Sequence, residues 1–283
     1  MAKVLTPAEI VAYDERGYHF PVRAFSAAEA AGLRDRLRES ETKCGGKFDA
    51  RRNQRPHLVF PWLDELIRHP RILDAVEDVI GPDILCWGAG FFSKDPGDGT
   101  FVSWHQDATY WGLSSPDVVS AWVAFTPSVK LSGCMRVVPG THRKQLAHAD
   151  TFEDKNLLSR VQEVEAKVDE RDAVDIVLQP GEFSLHHVMI VHGSEPNRAE
   201  WPRVGFAIRY VRTDVRQTAG NVVWATLVRG VDRHGNFRPT IPPASDLHPD
   251  ALAHHAMILD QQLQYLYRGA AKPGKMGPPP KAM

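Results

Sequence analysis

From Ile84 to Gly230 the chain breaks into short runs of β-branched and aromatic residues, whereas its two ends carry apolar residues at helical spacing. The runs read ILCWGAGFF (84–92), VVSAWVAF (118–125), CMRVVPG (134–140), VDIVLQPG (174–181), FSLHHVMIVHGS (183–194), VGFAIRYVRT (204–213) and NVVWATLVRG (221–230). Such residues fit a pleated, half-buried surface. Between them stand turn signals: Asp95-Pro96-Gly97-Asp98-Gly99, Ser132-Gly133 and Gln179-Pro180-Gly181. Many short strands without alternating helices predict an antiparallel sandwich or barrel.

The N-terminal part reads as helical. Thr6-Pro7-Ala8-Glu9 and Ser26-Ala27-Ala28-Glu29 have the capping-box form, a hydroxyl three residues ahead of a glutamate. Gly17 should close the first helix, Leu33 and Leu37 carry the second to about Glu41, and a third covers Arg71 to Ile80 before Gly81-Pro82. The second and third should pack on an outer sheet face. Pro249 to Arg268 predicts a closing helix with Leu252, Ile258, Leu259 and Leu266 on its apolar side. Asp150 to Asp172 is charged and partly helical in pattern, and sits between strands as an insertion: a lid over an opening, or a solvated surface helix. The expectation is one domain over residues 1–268 and a flexible tail over 269–283, which is rich in Pro, Gly and Lys.

Composition narrows the classes of function. A hydrophobic share of 43% and a charged share of 24% over 283 residues belong to an ordinary globular protein with enough chain for a large core. A formal net charge of -1 gives no global field to draw in nucleic acid or an acidic membrane, so a ligand must be recognised locally. No apolar run approaches the roughly 20 residues of a membrane span, and the start MAKVLTPAEIVAYDERG lacks a signal core, so a cytoplasmic location is expected. Cys44, Cys86 and Cys134 are odd in number and unpaired in motif, which points to reduced thiols.

Candidate chemistry begins in SWHQDATYWG, residues 103–112. In extended chain, residues i and i+2 share a face, so His105 and Asp107 would converge on one point, whereas Gln106 would point away. A solvated pair on an edge strand is the bland alternative. Two imidazoles and one carboxylate on one side of a ferrous ion leave three positions open for substrate and oxygen. The second histidine is best sought at His192, which ends a strand-like run before the sharp turn Gly193-Ser194. His186, six residues earlier, would share its face on an even strand, and His187 would oppose it. Arg203 follows His192 by eleven residues on what should be a returning strand, where its guanidinium can pair with the far carboxylate of a dicarboxylic acid chelated to the metal. Alternation then puts Gly205, Ala207 and Arg209 beside Arg203, with Val204, Phe206, Ile208 and Tyr210 on the opposite face. Arg209 is a candidate contact for that acid or for an anionic substrate, and a structural ion pair is its competing role.

The run WHQD, the strand VVSAWVAF, the segment SGCMRVVPGTH, and HGSEPN followed by Arg203, in this order, resemble the phytanoyl-CoA dioxygenase family of Fe(II)- and 2-oxoglutarate-dependent oxygenases. The resemblance covers about Ile84 to Tyr210. It implies a double-stranded β-helix, or cupin-like jelly roll, with His105, Asp107 and His192 as iron ligands. It also implies Arg203, helped by Ser194, as the anchor of the 2-oxoglutarate cosubstrate, and makes Lys94 and His142 candidate contacts. O2 would be consumed with release of succinate and CO2. Related halogenases have Gly or Ala at the carboxylate position, so Asp107 implies hydroxylation or another oxidative outcome in place of chlorination.

Several candidates have ordinary alternatives. Phe92, Trp104, Tyr110 and Trp111 would line an aromatic pocket or simply pack, and Arg136 would face the cavity or solvent. A small-molecule substrate is expected, anionic or zwitterionic if Lys94, Arg136 and Arg209 face the site. Two other classes stay open: a metal-dependent isomerase or hydrolase on the same scaffold, and a non-enzymatic ligand-binding β protein. Arg203 discriminates, because a hydrolase has no need of an anchor for a dicarboxylate.

Overall fold

The computed structural model describes residues 2–219, 223–270, 272 and 274–277. Both predicted capping boxes form: Thr6 starts α1 (Pro7–Arg16) and Ser26 starts α2 (Ala27–Lys43), each hydroxyl accepting from the glutamate N–H three residues on. Gly17 ends α1 in the left-handed region at φ 84°, which spares the Cβ clash another residue would meet. Between the two helices lies a strand, β1 (Tyr18–Arg23), which was not foreseen in the stretch between the first helix's close at Gly17 and the second's start at Ser26. Two further helices follow, α3 (Pro61–Ile67) and α4 (Pro70–Ile80), the first of them unforeseen.

The strands of the central part are β2 (Ile84–Lys94), β3 (Val102–His105), β4 (Val118–Ala124), β5 (Met135–Val138), β6 (His148–Asp150), β7 (Gln162–Val164), β8 (Val174–Ile176), β9 (Glu182–His187), β10 (Val191–Ser194), β11 (Arg203–Arg212), β12 (Trp224–Arg229) and β13 (Arg238–Pro239). They form a seven-stranded sheet in the order β1-β9-β4-β11-β2-β12-β13, a four-stranded sheet in the order β3-β10-β5-β8, and the hairpin β6-β7. All pairs but β12-β13 are antiparallel, and the crossed-over order is that of a double-stranded β-helix, or jelly roll. The closing helix is α5 (Pro249–Leu266). Among the described residues, no helix is long and apolar enough to cross a membrane.

The alternation of β11 decides which side is which. Val204, Phe206, Ile208 and Tyr210 face outward into a core shared with Leu37 of α2, Leu63 and Ile67 of α3 and Ile72 and Val76 of α4. Burying that many aliphatic and aromatic side chains supplies the main attachment of the helices to the large sheet. The other face of β11 looks into the space between the sheets, where Ala207 packs with Trp122, Met135, Val137 and Ile190. Gly205 belongs to this inner face for a steric reason: a Cβ there would lie 1.9 Å from Trp122 Cζ2.

The segment 150–172 differs from its helical pattern. Its ordered part is the β6-β7 hairpin, and only the single turn Glu170–Asp172 is helical. Arg160 ties it down: Nε donates to Asp150, and one terminal nitrogen donates to the carbonyls of Leu266 and Arg268 beyond α5. Its guanidinium also lies 3.5 Å from the ring centre of Tyr110. Within the C-terminal tail, Met276 is buried and Lys275 N–H donates to Ser159 O; residues 271, 273 and 278–283 lie outside the described ones.

Candidate active site

β3 and β10 are antiparallel neighbours in the small sheet, with His192 paired to His105, so two residues 87 positions apart in sequence become cross-strand partners. Their ring centroids are 4.1 Å apart. Gln106 is extended, at φ -113° and ψ 129°, which keeps Asp107 on the face of His105 as it opens the short turn Asp107–Tyr110. Gln106 itself points away, held between the carbonyls of Lys144 and Met189 and the N–H of Leu146. The three side chains are buried, and each offers a ligand atom within 4.8 Å of the others.

Hydrogen bonding sets what these groups present. His105 Nδ1 lies 2.9 Å from Ser103 O and His192 Nδ1 3.0 Å from Ile190 O, contacts that place the ring proton on Nδ1 in each. Both Nε2 lone pairs are then turned inward. His105 Nε2 stands 3.3 Å from Asp107 Oδ1, acceptor against acceptor. Burial would raise the Asp107 pKa, and Arg209, the charged neighbour that remains once the imidazoles are neutral, favours the carboxylate against it. Burial, then the neighbouring His105, holds His192 well below the usual imidazole range and hence neutral. Three buried acceptors converge, and a divalent cation fits them as no protein group does.

Around them is an inner cavity of about 40 Å³, lined by His105, Asp107, His192, Ser194, Arg203 and Arg209 among others. Arg203 is 2% exposed; one terminal nitrogen donates to Phe92 O at 3.3 Å, its guanidinium carbon lies 5.2 Å from the Trp122 ring centre, and its Nε has no partner. Burial pushes its pKa down to about 10. Lys94 pairs with Arg203 in the β2-β11 ladder and donates to Ser194 Oγ at 2.6 Å and to the carbonyls of Ser194 and Glu195. Burial, followed by the charge of Arg203, lowers the Lys94 ammonium to about 6.

A larger cavity of about 350 Å³ adjoins the first, and Phe92, Asp107 and Arg209 line both. Its walls come from the loop around Asn53–Arg55, from Trp87 and Trp111, and from residues 157–160 of the hairpin segment. The sequence carried no sign of the Asn53–Arg55 wall or of Arg160, whose places depend on tertiary contacts alone. Trp111 and Phe92 stand at the cavity as expected. Trp104 lies under the Arg136 guanidinium, which is bound to Glu170, and Tyr110 lies under Arg160, so neither lines a cavity. His142 is also elsewhere, its Nε2 at 3.0 Å from Asp14 O beside α1.

His186 needs a correction. It was expected on one even strand with His192; instead β9 ends at His187, a turn intervenes, and the two imidazoles belong to different sheets. His186 still reaches the inner cavity, 5.1 Å from the His192 ring, with Nδ1 unpartnered and its pKa lowered to about 4 by burial. Among the described residues, only His105, Asp107 and His192 form a group able to hold a metal.

Comparison with known proteins gives a family and structures of the same fold. A family model described as "Phytanoyl-CoA dioxygenase (PhyH)" matches residues 3–205. The solved structure of the apo non-heme monooxygenase ThoJ is similar at 33% identity and TM-score 0.82, covering 92% of this chain and 97% of that one. CytC3 with Fe(II) and alpha-ketoglutarate is similar at 26% identity and TM-score 0.64, covering 84% and 97%. A "Probable alpha-ketoglutarate-dependent hypophosphite dioxygenase" from Stutzerimonas stutzeri is 27% identical over 222 residues, which are 71% of this chain and 77% of that protein.

Proposed function

The chain belongs to the phytanoyl-CoA dioxygenase family, and from that premise we propose that His105, Asp107 and His192 hold Fe(II) while Arg203 anchors 2-oxoglutarate, for hydroxylation of a C–H bond in a small anionic metabolite. The protein is an Fe(II)- and 2-oxoglutarate-dependent dioxygenase that uses O2 and forms succinate and CO2. The convergence of two inward Nε2 lone pairs on an ionised, buried carboxylate carries the reading of the metal set. Bound iron supplies the activation of oxygen, and the protein supplies geometry and a dry cavity.

The residues divide the remaining work. The carbonyls of Ser103 and Ile190 hold both imidazoles in the tautomer a metal needs and limit their rotation. Arg203, without a carboxylate partner among the described residues, offers its fork to the distal carboxylate of 2-oxoglutarate in a site shielded by Trp122. Ser194 lines that end, and Lys94 behind it fixes the hydroxyl of Ser194 and the backbone at Glu195. Phe92, Met135 and Ala207 keep water from the remaining walls. The larger cavity, meeting the inner one at Asp107, is where substrate fits. Asp107 occupies the position at which halogenases lack a carboxylate, which favours hydroxylation. A hydrolase or isomerase built on the same triad would leave Arg203 without a use.

The test is succinate release from 2-oxoglutarate under air across a panel of small carboxylic and phosphonic acids. The expected result is release that requires Fe(II), rises at least tenfold with one class of acid, and disappears in His192→Ala. Release that does not require Fe(II), or that persists in His192→Ala, would contradict the reading.

A further inference from the structure

Arg209 sits in the β11 ladder opposite Gly88 of β2 and Ser120 of β4, and lines both cavities. Among the described residues its guanidinium has no hydrogen-bond acceptor and no carboxylate within ion-pair distance, and its Nε is buried and unpartnered. The other cations of the larger cavity are engaged: Arg55 donates to Gln262 and to Trp224 O, Arg160 to Asp150 and two carbonyls, and Lys47 pairs with Asp95. A buried guanidinium with its hydrogen bonds unmade, and only the more distant charge of Asp107 to favour it, is costly unless something absent from the chain completes it. Space for that partner exists, since a Cβ on Gly88 would meet nothing within 4 Å. Aromatic faces flank the guanidinium, with Phe92 at 5.5 Å and Trp111 at 6.0 Å, and Trp111 stacks on Trp87 at 4.6 Å.

We infer that Arg209 is the substrate anchor, and that the larger cavity takes a compact molecule with one carboxylate or phosphonate on the Arg209 fork and an apolar body against Trp111 and Phe92. The inference rests on the oxygenase reading and extends it by naming the substrate class. A planar guanidinium pairs with either oxyanion through two parallel hydrogen bonds, and aromatic walls bind the body of such an acid without further polar groups. Arg203 and Arg209 thus serve different ligands, the first in the closed inner cavity and the second where the two cavities join.

The experiment is calorimetric titration of protein loaded with Zn(II) and 2-oxoglutarate, using phenylacetate against phenylacetamide, hexanoate against hexanamide, and phenylphosphonate. Wild-type protein should bind at least one acid ten times more tightly than its amide, with phenylphosphonate deciding between carboxylate and phosphonate. Arg209→Gln should erase the difference, and Arg209→Lys should keep part of it. Equal binding of acid and amide by wild-type protein overturns the inference, and that arm needs no variant to fold. So does an Arg209→Gln protein that keeps its acid preference or whose main loss is 2-oxoglutarate affinity. Failure of wild-type protein to bind 2-oxoglutarate would instead fault the oxygenase reading, while acid against amide on metal-free protein still tests Arg209.

Discussion

Replacing Arg203 with Met separates a residue kept for a ligand from one kept for the fold. The guanidinium is 2% exposed, its pKa is pushed down to about 10 by burial, and it has one long hydrogen bond to Phe92 O but no anionic partner. A base with a lowered pKa is penalised wherever it is protonated in the folded chain; the penalty is complete below about pH 10 and fades only as pH rises above it. Holding an arginine near 10 instead of 12.5 corresponds to about 3 kcal/mol at about 1.4 kcal/mol per pH unit. Met preserves most of the stem packed beside Trp122, so about 1 to 2 kcal/mol of that cost should be recovered after the lost contacts are counted. In a chain of this size the cosubstrate-free melting temperature should rise by about 2 to 6 °C. The effect on 2-oxoglutarate is opposite: a buried charge-assisted pair worth about 3 kcal/mol disappears, and Kd rises about a hundredfold. Wild-type protein should gain about 2.7 kcal/mol of stability at a hundred times its Kd of 2-oxoglutarate, and the variant, then at its own Kd, only about 0.4 kcal/mol. Thermal melts with and without 2-oxoglutarate, beside calorimetric titration on Zn(II)-loaded protein, read both halves. A variant that melts lower yet binds 2-oxoglutarate normally would refute the reasoning and make Arg203 a structural residue.

Other outcomes follow from single features. Asp107→Gly removes the anionic member of the metal set; Zn(II) affinity should fall by about a hundredfold or more and hydroxylation should cease, and retained turnover would remove Asp107 from the set. Gly205→Ala drives a methyl into Trp122, whose ring Arg203 faces, and urea melts should show a loss of about 1 to 3 kcal/mol; an unchanged midpoint would mean that the indole shifts freely. His255 of α5 is buried, with Nε2 at 2.7 Å from Gln54 O and its pKa lowered to about 4 by burial. Between about pH 4 and 6.5 the unfolded chain binds a proton there that the folded chain does not, so stability falls on acidification through that window. His255→Gln should remove up to about 3 kcal/mol of that fall, and an acid limb identical to wild type would contradict the assignment.

The parts legible in sequence were those set by local rules. His105 and Asp107 share a face because Gln106 is extended, and a period of two says as much without coordinates. The return of β11 was marked by Asn197 and Pro202, which carried Arg203 into view, whereas the sharp turn expected at Gly193-Ser194 is not there: β10 runs through both residues, paired to β3 and β5. What failed was decided at long range. Tyr18–Arg23 carries Pro21 in its middle, which argues against a strand, and it becomes one by pairing with β9 more than 150 residues away. The charges of 150–172 suggested a helix, yet Arg160 spends its hydrogen bonds on Asp150 and the end of α5, an arrangement no window of sequence contains. His186 shows the limit of periodicity: the alternation was right within β9, but a turn moved His192 to the other sheet.

The central claim is that two imidazoles, one carboxylate and one guanidinium hold iron and 2-oxoglutarate together. Anaerobic addition of Fe(II) and then 2-oxoglutarate to the intact protein tests it most directly, with visible absorbance as the readout. A weak charge-transfer band should appear only with both present, vanish in His192→Ala, and need about a hundredfold more 2-oxoglutarate in Arg203→Met. An unchanged spectrum in wild-type protein, or an equal band in the His192 variant, would contradict the account.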